Sequence, residues 1–153
     1  MEHEQNVNYS GFWTRFLAYL IDSIVLGLVY IPIVVVSGII QVVLSIGLGE
    51  ESIMGVAIAT WIIASIIYLV VGLAYMILMP ASKYQGTVGK KLMGIKIVDE
   101  DGGRISVSKS MLRYLGMIVS GLTFYIGYIM IAFHPQKRAL HDIIGGTYVV
   151  SAK

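Results

Sequence analysis

Asp22 stands in the costliest setting that this sequence offers a charged group. The 27 residues that follow it, Ser23 to Gly49, contain no Asp, Glu, Lys or Arg. A carboxylate deep in a spanning helix costs about 2.5–3.5 kcal/mol on insertion scales, so it must face protein or water and find a partner or a proton. Arg15 lies seven residues earlier, two helical turns away on nearly the same face and about 10 Å along the axis. Tyr19 falls between them, at i+4 from Arg15 and i−3 from Asp22, where its hydroxyl would bridge the gap. Two readings of this face stand side by side. It is a polar track for an ion or proton, or a buried polar network that fixes helix packing.

Asp142 is the second candidate, set beside His141, an imidazole that titrates near neutral pH when unperturbed. If both chain ends lie on one side of a membrane, Asp142 and Arg15 meet there, and a guanidinium matches a carboxylate bidentately. His134 and His141 lack a third ligand at useful spacing, so no metal site is expected. Gly86-Thr87-Val88-Gly89-Lys90-Lys91 has a superficial likeness to a phosphate-binding loop. Tyr84 stands where that loop needs its first glycine, and Lys91 replaces the hydroxyl, so the match fails. The glycines set a tight turn, and Lys90 and Lys91 meet lipid phosphates or helix C-termini. No nucleophilic or paired-carboxylate arrangement stands out, so the chain is not expected to be an enzyme and calls for no cofactor.

The elements that must carry these residues are membrane helices. The chain is 57% hydrophobic and 13% charged, with mean hydropathy +0.81 and no cysteine. That lies well outside soluble-domain composition and excludes disulfides and thiolate chemistry. A net charge of +2 does not suggest nucleic-acid binding. Ser23–Gly49 and the 31 uncharged residues of Ser52–Ser82 both exceed the ~20 needed to span, predicting helices near 13–43 and 53–79. Pro32 would kink the first and Pro80 close the second. The opening MEHEQN carries acids where a signal peptide carries bases, so the first helix is expected to remain as an anchor.

Residues 80–110 form a predicted loop. From Lys83 to Arg113, seven bases face three acids, which marks the segment as cytoplasmic; the turn Gly49-Glu50-Glu51 has no base and is expected outside. Ile95–Val98 and Arg104–Val107 flank the turn residues Asp99–Gly103, predicting a short β-hairpin. The third apolar segment, 111–133, holds twenty residues without formal charge from Tyr114 to Phe133. It either spans once or breaks at its glycines and returns as a re-entrant hairpin, the form favoured by the basic tail 134–153. The pairs Ser23/Gly27, Gly55/Ala59 and Gly116/Ser120 permit close helix contacts.

Gly11-Phe12-Trp13-Thr14-Arg15-Phe16-Leu17-Ala18-Tyr19-Leu20-Ile21-Asp22 resembles the opening of the RDD family of bacterial and archaeal membrane proteins, named for one arginine and two aspartates. The arginine falls on Arg15 and the aspartates on Asp22 and Asp142, the latter within Arg138-Ala139-Leu140-His141-Asp142-Ile143-Ile144-Gly145-Gly146-Thr147. Gln85–Gly94 resembles the family's Gly-Lys block, although Val88 replaces its common proline. Arg113 resembles the arginine after the hairpin. The likeness runs from about Tyr9 to Val150. It supports the membrane assignment and the importance of the three charged residues, and it implies, for some members, sodium/proton antiport or transport of unidentified ligands.

Together these readings predict an all-α membrane protein formed as one domain over 1–153. It would have two long spans, a cytoplasmic loop with a short hairpin, and a third apolar segment. The expected place is the bacterial or archaeal cytoplasmic membrane, with the N-terminus inside. The leading functional expectation is movement of a monovalent cation or proton by a homo-oligomer or with a second membrane protein. Arg15, Asp22 and Asp142 would form the network; Tyr19, His141, Arg113 and Lys90 would support it. The alternative is a non-transporting adaptor or regulator that binds another membrane protein.

Overall fold

The computed structural model describes residues 7–48, 52–123 and 126–152. The acidic opening and the Glu50–Glu51 turn lie outside the described residues. In chain order the elements are α1 (Phe12–Leu48), α2 (Ile53–Ala81), α3 (Val88–Leu92), β1 (Ile95–Asp99), α4 (Val107–Leu122), α5 (Ile126–Phe133), α6 (Leu140–Ile144) and β2 (Thr147–Ser151). The two predicted spans therefore exist, each slightly longer than expected. Pro80 lies inside the last turn of α2 rather than beyond it.

α1 and α2, with 37 and 29 residues, are long and apolar enough to cross a membrane. Their surfaces invert the pattern of a soluble helix. The buried positions of α1 are Arg15, Ala18 and Asp22, whereas Leu20, Ile24, Leu28, Val35 and Ile39 are exposed. Polar groups turn inward and hydrocarbon outward, the arrangement that is stable when the solvent is lipid.

The chain divides into two compact units. One comprises Ser23–Ala74, the charge-poor lengths of α1 and α2. Within it Tyr30 and Tyr68 meet edge to face at 4.9 Å between centroids, and a groove of about 470 Å³ runs between apolar side chains. The Ser37 and Thr60 hydroxyls in that groove bond back to Val34 O and Val56 O of their own helices. They satisfy themselves without a partner from elsewhere, as hydroxyls in spanning helices commonly do.

The other unit comprises residues 1–22 and 75–153. Its small core gathers Ala18 of α1 with Ile95, Ile97, Ile105 and Val149. The sheet differs in pairing from the predicted hairpin. β1 runs antiparallel to β2, with Ile95 opposite Ser151 and Asp99 opposite Thr147. The expected turn does form, since Asp99 N–H donates to Gly103 O at 2.9 Å. Arg104–Val107, however, does not return as a strand. Ser106 caps α4 by accepting from Lys109 N–H at 3.2 Å, and a side-chain cap there favours helix initiation. The N-terminal segment joins the sheet edge: Ser10 N–H donates to Val149 O and Ser151 N–H to Asn8 O, both at 2.9 Å.

α4 also carries its polar residues inward. Ser110, Arg113, Gly116 and Ser120 are buried, while Met111, Leu112, Leu115, Ile118 and Leu122 are exposed. α5 departs from α4 by 103°. α4 and α5 thus form a bent apolar pair over the third apolar segment expected at 111–133, a broken span or a re-entrant loop; Phe124 and Tyr125 lie outside the described residues. The Gly116/Ser120 spacing is used inside the unit. A Cβ at Gly116 would come within 2.8 Å of His141 Cα, and one at Gly127 within 2.4 Å of Ser120 Oγ.

Candidate functional site

The predicted charged residues form two separate clusters. The first is centred on Asp142, at N3 of α6, where its Oδ2 accepts from Ala139 N–H at 3.1 Å and stabilises the helix start. Asp142 is completely buried. Arg15 Nη1 donates to Oδ2, and Arg113 Nη1 donates to Oδ1 at 2.5 Å. Arg15 does not pair bidentately with the carboxylate as predicted. It divides its donors three ways, Nε reaching Ser10 O at 3.1 Å and Nη2 reaching Lys137 O at 2.6 Å. One guanidinium thereby ties the start of α1 to the sheet-edge segment, the tail loop and α6. Arg113 Nη1 also donates to the Thr147 hydroxyl at the start of β2.

Burial would raise the Asp142 pKa, but the Arg113 and Arg15 guanidiniums, with the adjacent His141 ring and the Ala139 amide, reverse that effect and hold it well below the usual carboxylate range. His141 responds in the opposite sense for a base. Burial pushes it down to about 3; Asp142 counters this, and Arg113 and Arg15 reinforce it. The imidazole is therefore neutral at physiological pH, and its 3.5 Å approach to Asp142 is a dipolar contact. Tyr128 packs against its ring at 5.3 Å. Arg138 braces the outside of the cluster, with Nη2 donating to Asp142 O at 3.2 Å and its guanidinium 4.5 Å from the Tyr148 ring centre.

The second cluster surrounds Asp22, which is 2% exposed. Its Oδ1 accepts from the Tyr75 hydroxyl and from Gly89 N–H, each at 2.7 Å, and its Oδ2 accepts from the Thr87 hydroxyl at 2.5 Å. All three donors are neutral. The Tyr75 hydroxyl accepts in turn from Val88 N–H at 3.0 Å. Lys90 Nζ reaches Thr87 Oγ1 at 3.5 Å, placing an ammonium one hydroxyl away from the carboxylate. Withdrawal from water and the Arg113 charge push the Lys90 pKa down to about 8, with Asp22 opposing. Gly89 is required by space. A Cβ there would lie 2.0 Å from Ala18 O, so only glycine brings the turn close enough to donate to Asp22.

Arg15, Arg113, His141 and Asp142 thus come together, and Asp22 and Lys90 come together around Thr87. Tyr19 is 57% exposed, and the partners that hold Asp22 are Tyr75, Thr87 and Gly89. Of these only the Thr-Gly turn is marked out in the sequence, by its glycines. Tyr75 was hidden by its setting, one aromatic residue among many in an apolar helix. Thr147 was hidden likewise in a β-branched run. Among the described residues, no group of three or more His, Asp or Glu side chains gathers in a way that would hold a metal ion.

Comparison with known proteins places this constellation. Over 149 residues, 92% of this chain and 96% of the relative, the sequence is 42% identical to the uncharacterized protein YxaI of Bacillus subtilis strain 168. It is 32% identical to the uncharacterized protein YckC of that organism, covering 94% of this chain and 85% of the relative. It is 30% identical to the uncharacterized membrane protein YteJ, also of that organism, covering 95% and 82%. No solved structure gives a significant match. The family model described as RDD family matches residues 9–146, the whole run from the sheet-edge segment through Arg15, Asp22 and Asp142. With two spanning-length apolar helices and both clusters inside that match, the chain is a small membrane protein and belongs to the RDD family.

Proposed function

We propose that this protein is a non-transporting membrane adaptor or regulator, lying with both chain ends on the cytoplasmic side of the cell membrane and acting on another membrane protein. The observation that carries this reading is the full internal engagement of both carboxylates. Asp142 accepts from two guanidiniums and a backbone amide, and Asp22 from two hydroxyls and a backbone amide. Groups bonded in this way join segments distant in sequence and act as braces. A buried charge that has lost one partner is strongly destabilising, which makes such braces sensitive specifiers of one packing arrangement.

A second reading, movement of a cation or proton, is favoured by one feature: Asp22 has only neutral direct donors. No guanidinium or ammonium among the described residues touches this carboxylate directly, whereas Asp142 is held between two guanidiniums. Because alternating access generally uses larger repeats, transport by this short chain would involve further copies or a second subunit.

The deciding experiment is ion-driven pH change in proteoliposomes under sodium, lithium and potassium gradients, with insertion verified. The adaptor reading expects no flux above empty vesicles. It also expects discrete hetero-adducts when photo-crosslinking residues are placed on the exposed faces of α1 and α2 in native membranes. Flux from the wild type that a folded Asp22→Asn variant loses would overturn that reading and establish Asp22 on a conduction or exchange path.

A further inference from the structure

Lys90 and Lys91 are neighbours in sequence with opposite surroundings. Lys90 turns toward Thr87 and the Asp22 cluster. Lys91 turns outward, with Nζ 4.4 Å from the centre of the Tyr84 ring, and Lys83 Nζ stands 5.5 Å from the same centre. Lys83, Tyr84 and Lys91 are all exposed. Among the described residues neither ammonium has a carboxylate within ion-pair distance. Two like charges thus gather at one aromatic ring, which compensates only part of their repulsion. An anion bound beside these ammoniums would remove the rest.

The position of this pair specifies the anion. Tyr84 lies three residues beyond Ala81, where α2 ends, and the last turns of that helix expose hydrocarbon at Leu78. Next to Lys91, Leu92 is 69% exposed at the end of α3. A tyrosine with flanking lysines at the end of a span sits at headgroup level, and basic residues there attract anionic lipid. Leu92 offers an apolar contact that a free phosphate ion has no group to use.

From this juxtaposition we propose that Lys83, Tyr84 and Lys91 form a binding site for the phosphate headgroup of an anionic phospholipid, with Leu92 against the glycerol and upper acyl region. The site uses none of the residues that brace Asp22 or Asp142 directly, so it is independent of the adaptor reading. Zwitterionic lipids fit less well because their own ammonium meets two lysines.

The test is native mass spectrometry of the full-length protein from mild detergent, incubated with equimolar phosphatidylglycerol and phosphatidylcholine. Wild type is expected to retain phosphatidylglycerol on the order of 25-fold over phosphatidylcholine, given roughly five-fold for each of the two bases near an anionic surface. Lys83→Gln with Lys91→Gln is expected to lose that preference while keeping the wild-type melting temperature; Lys91→Gln alone should lose part of it. A charge-matched control, Lys96→Gln with Arg104→Gln, should retain it. Four results would overturn the proposal: no preference in wild type, preference unchanged in the Lys83/Lys91 variants, equal loss in the control, or displacement of the lipid by equimolar inorganic phosphate.

Discussion

Asp142 and Asp22 are both withdrawn from solvent, and each accepts three direct hydrogen bonds, yet the partners differ in charge. Asp142 sits between Arg15 and Arg113 and is kept ionised by them. Asp22 is held by two hydroxyls and a backbone amide, all of them uncharged. Replacing the first acid leaves two cations buried without compensation. Replacing the second leaves neutral donors without acceptors, a smaller penalty. A tight charge clamp and a neutral hydrogen-bond cradle thus lie on one face of the same helix, which divides the labour. The clamp fixes the tail against the start of α1, and the cradle fixes the Gly-Lys turn against α1 and α2.

The largest expected effect follows directly. Asp142→Asn should destabilise the protein by about 3–5 kcal/mol, as breaking a buried ion pair from one side does, measured by thermal unfolding in detergent micelles. Adding Arg15→Met and Arg113→Met to that variant should recover much of the loss, because the stranded charges are then gone. If Asp142→Asn costs no more than its Asp22 counterpart, the contrast between clamp and cradle fails.

The cradle is more sensitive at its backbone than at its acid. Gly89→Ala drives a methyl group to 2.0 Å from Ala18 O, and relief requires the turn to retreat from Asp22. We expect a loss of about 3 kcal/mol, at the upper end of overpacking costs. Asp22→Asn should cost less, about 2 kcal/mol, because its amide oxygen still accepts from some of the three donors while its NH₂ faces the others. Unfolding curves of the two variants side by side rank them. A larger effect for Asp22→Asn would show that the carboxylate charge, acting with Lys90 through Thr87, contributes more than the neutral bonds.

Why one cluster was legible in the sequence and the other only partly so has a physical explanation. Charged residues are conspicuous in an apolar chain: Asp22 stands out by its cost, Arg15 by its place seven residues earlier and Asp142 by its position beside His141, while the glycines mark the Gly-Lys turn and the match to the RDD pattern adds Arg113. The spans followed from uninterrupted hydrocarbon. Partners that are cheap to place anywhere gave no such signal: Tyr75 and Thr147 look like their neighbours until the fold brings them to a carboxylate. The hairpin failed for a related reason. Strand propensity in Arg104–Val107 competed with the Ser106 cap, and the better partner for β1 lay some fifty residues on, in a β-branched run whose pairing no local rule selects.

The smallest expected effect isolates Lys90, the cation that stands between the two clusters. Its folded pKa of about 8 lies below the ordinary lysine value of 10.5, so between those values the unfolded chain binds more protons than the folded one. Stability then rises with pH. The unfavourable contribution is fully present below pH 8 and is relieved as pH climbs toward 10.5. Lys90 is half-buried, and solvent screening reduces the effect to about 1 kcal/mol. Lys90→Gln should therefore be somewhat more stable than wild type at pH 7, with the advantage shrinking to nothing near pH 10.5. Melting temperatures of the two proteins across that range measure the difference, in which other lysines and tyrosines cancel. A constant gap would mean that Lys90 keeps its ordinary pKa and is outside the electrostatic reach of both clusters. A gap that widens with pH would mean that its ammonium stabilises the Asp22 cradle, drawing the cradle toward the clamp's mode of holding an acid.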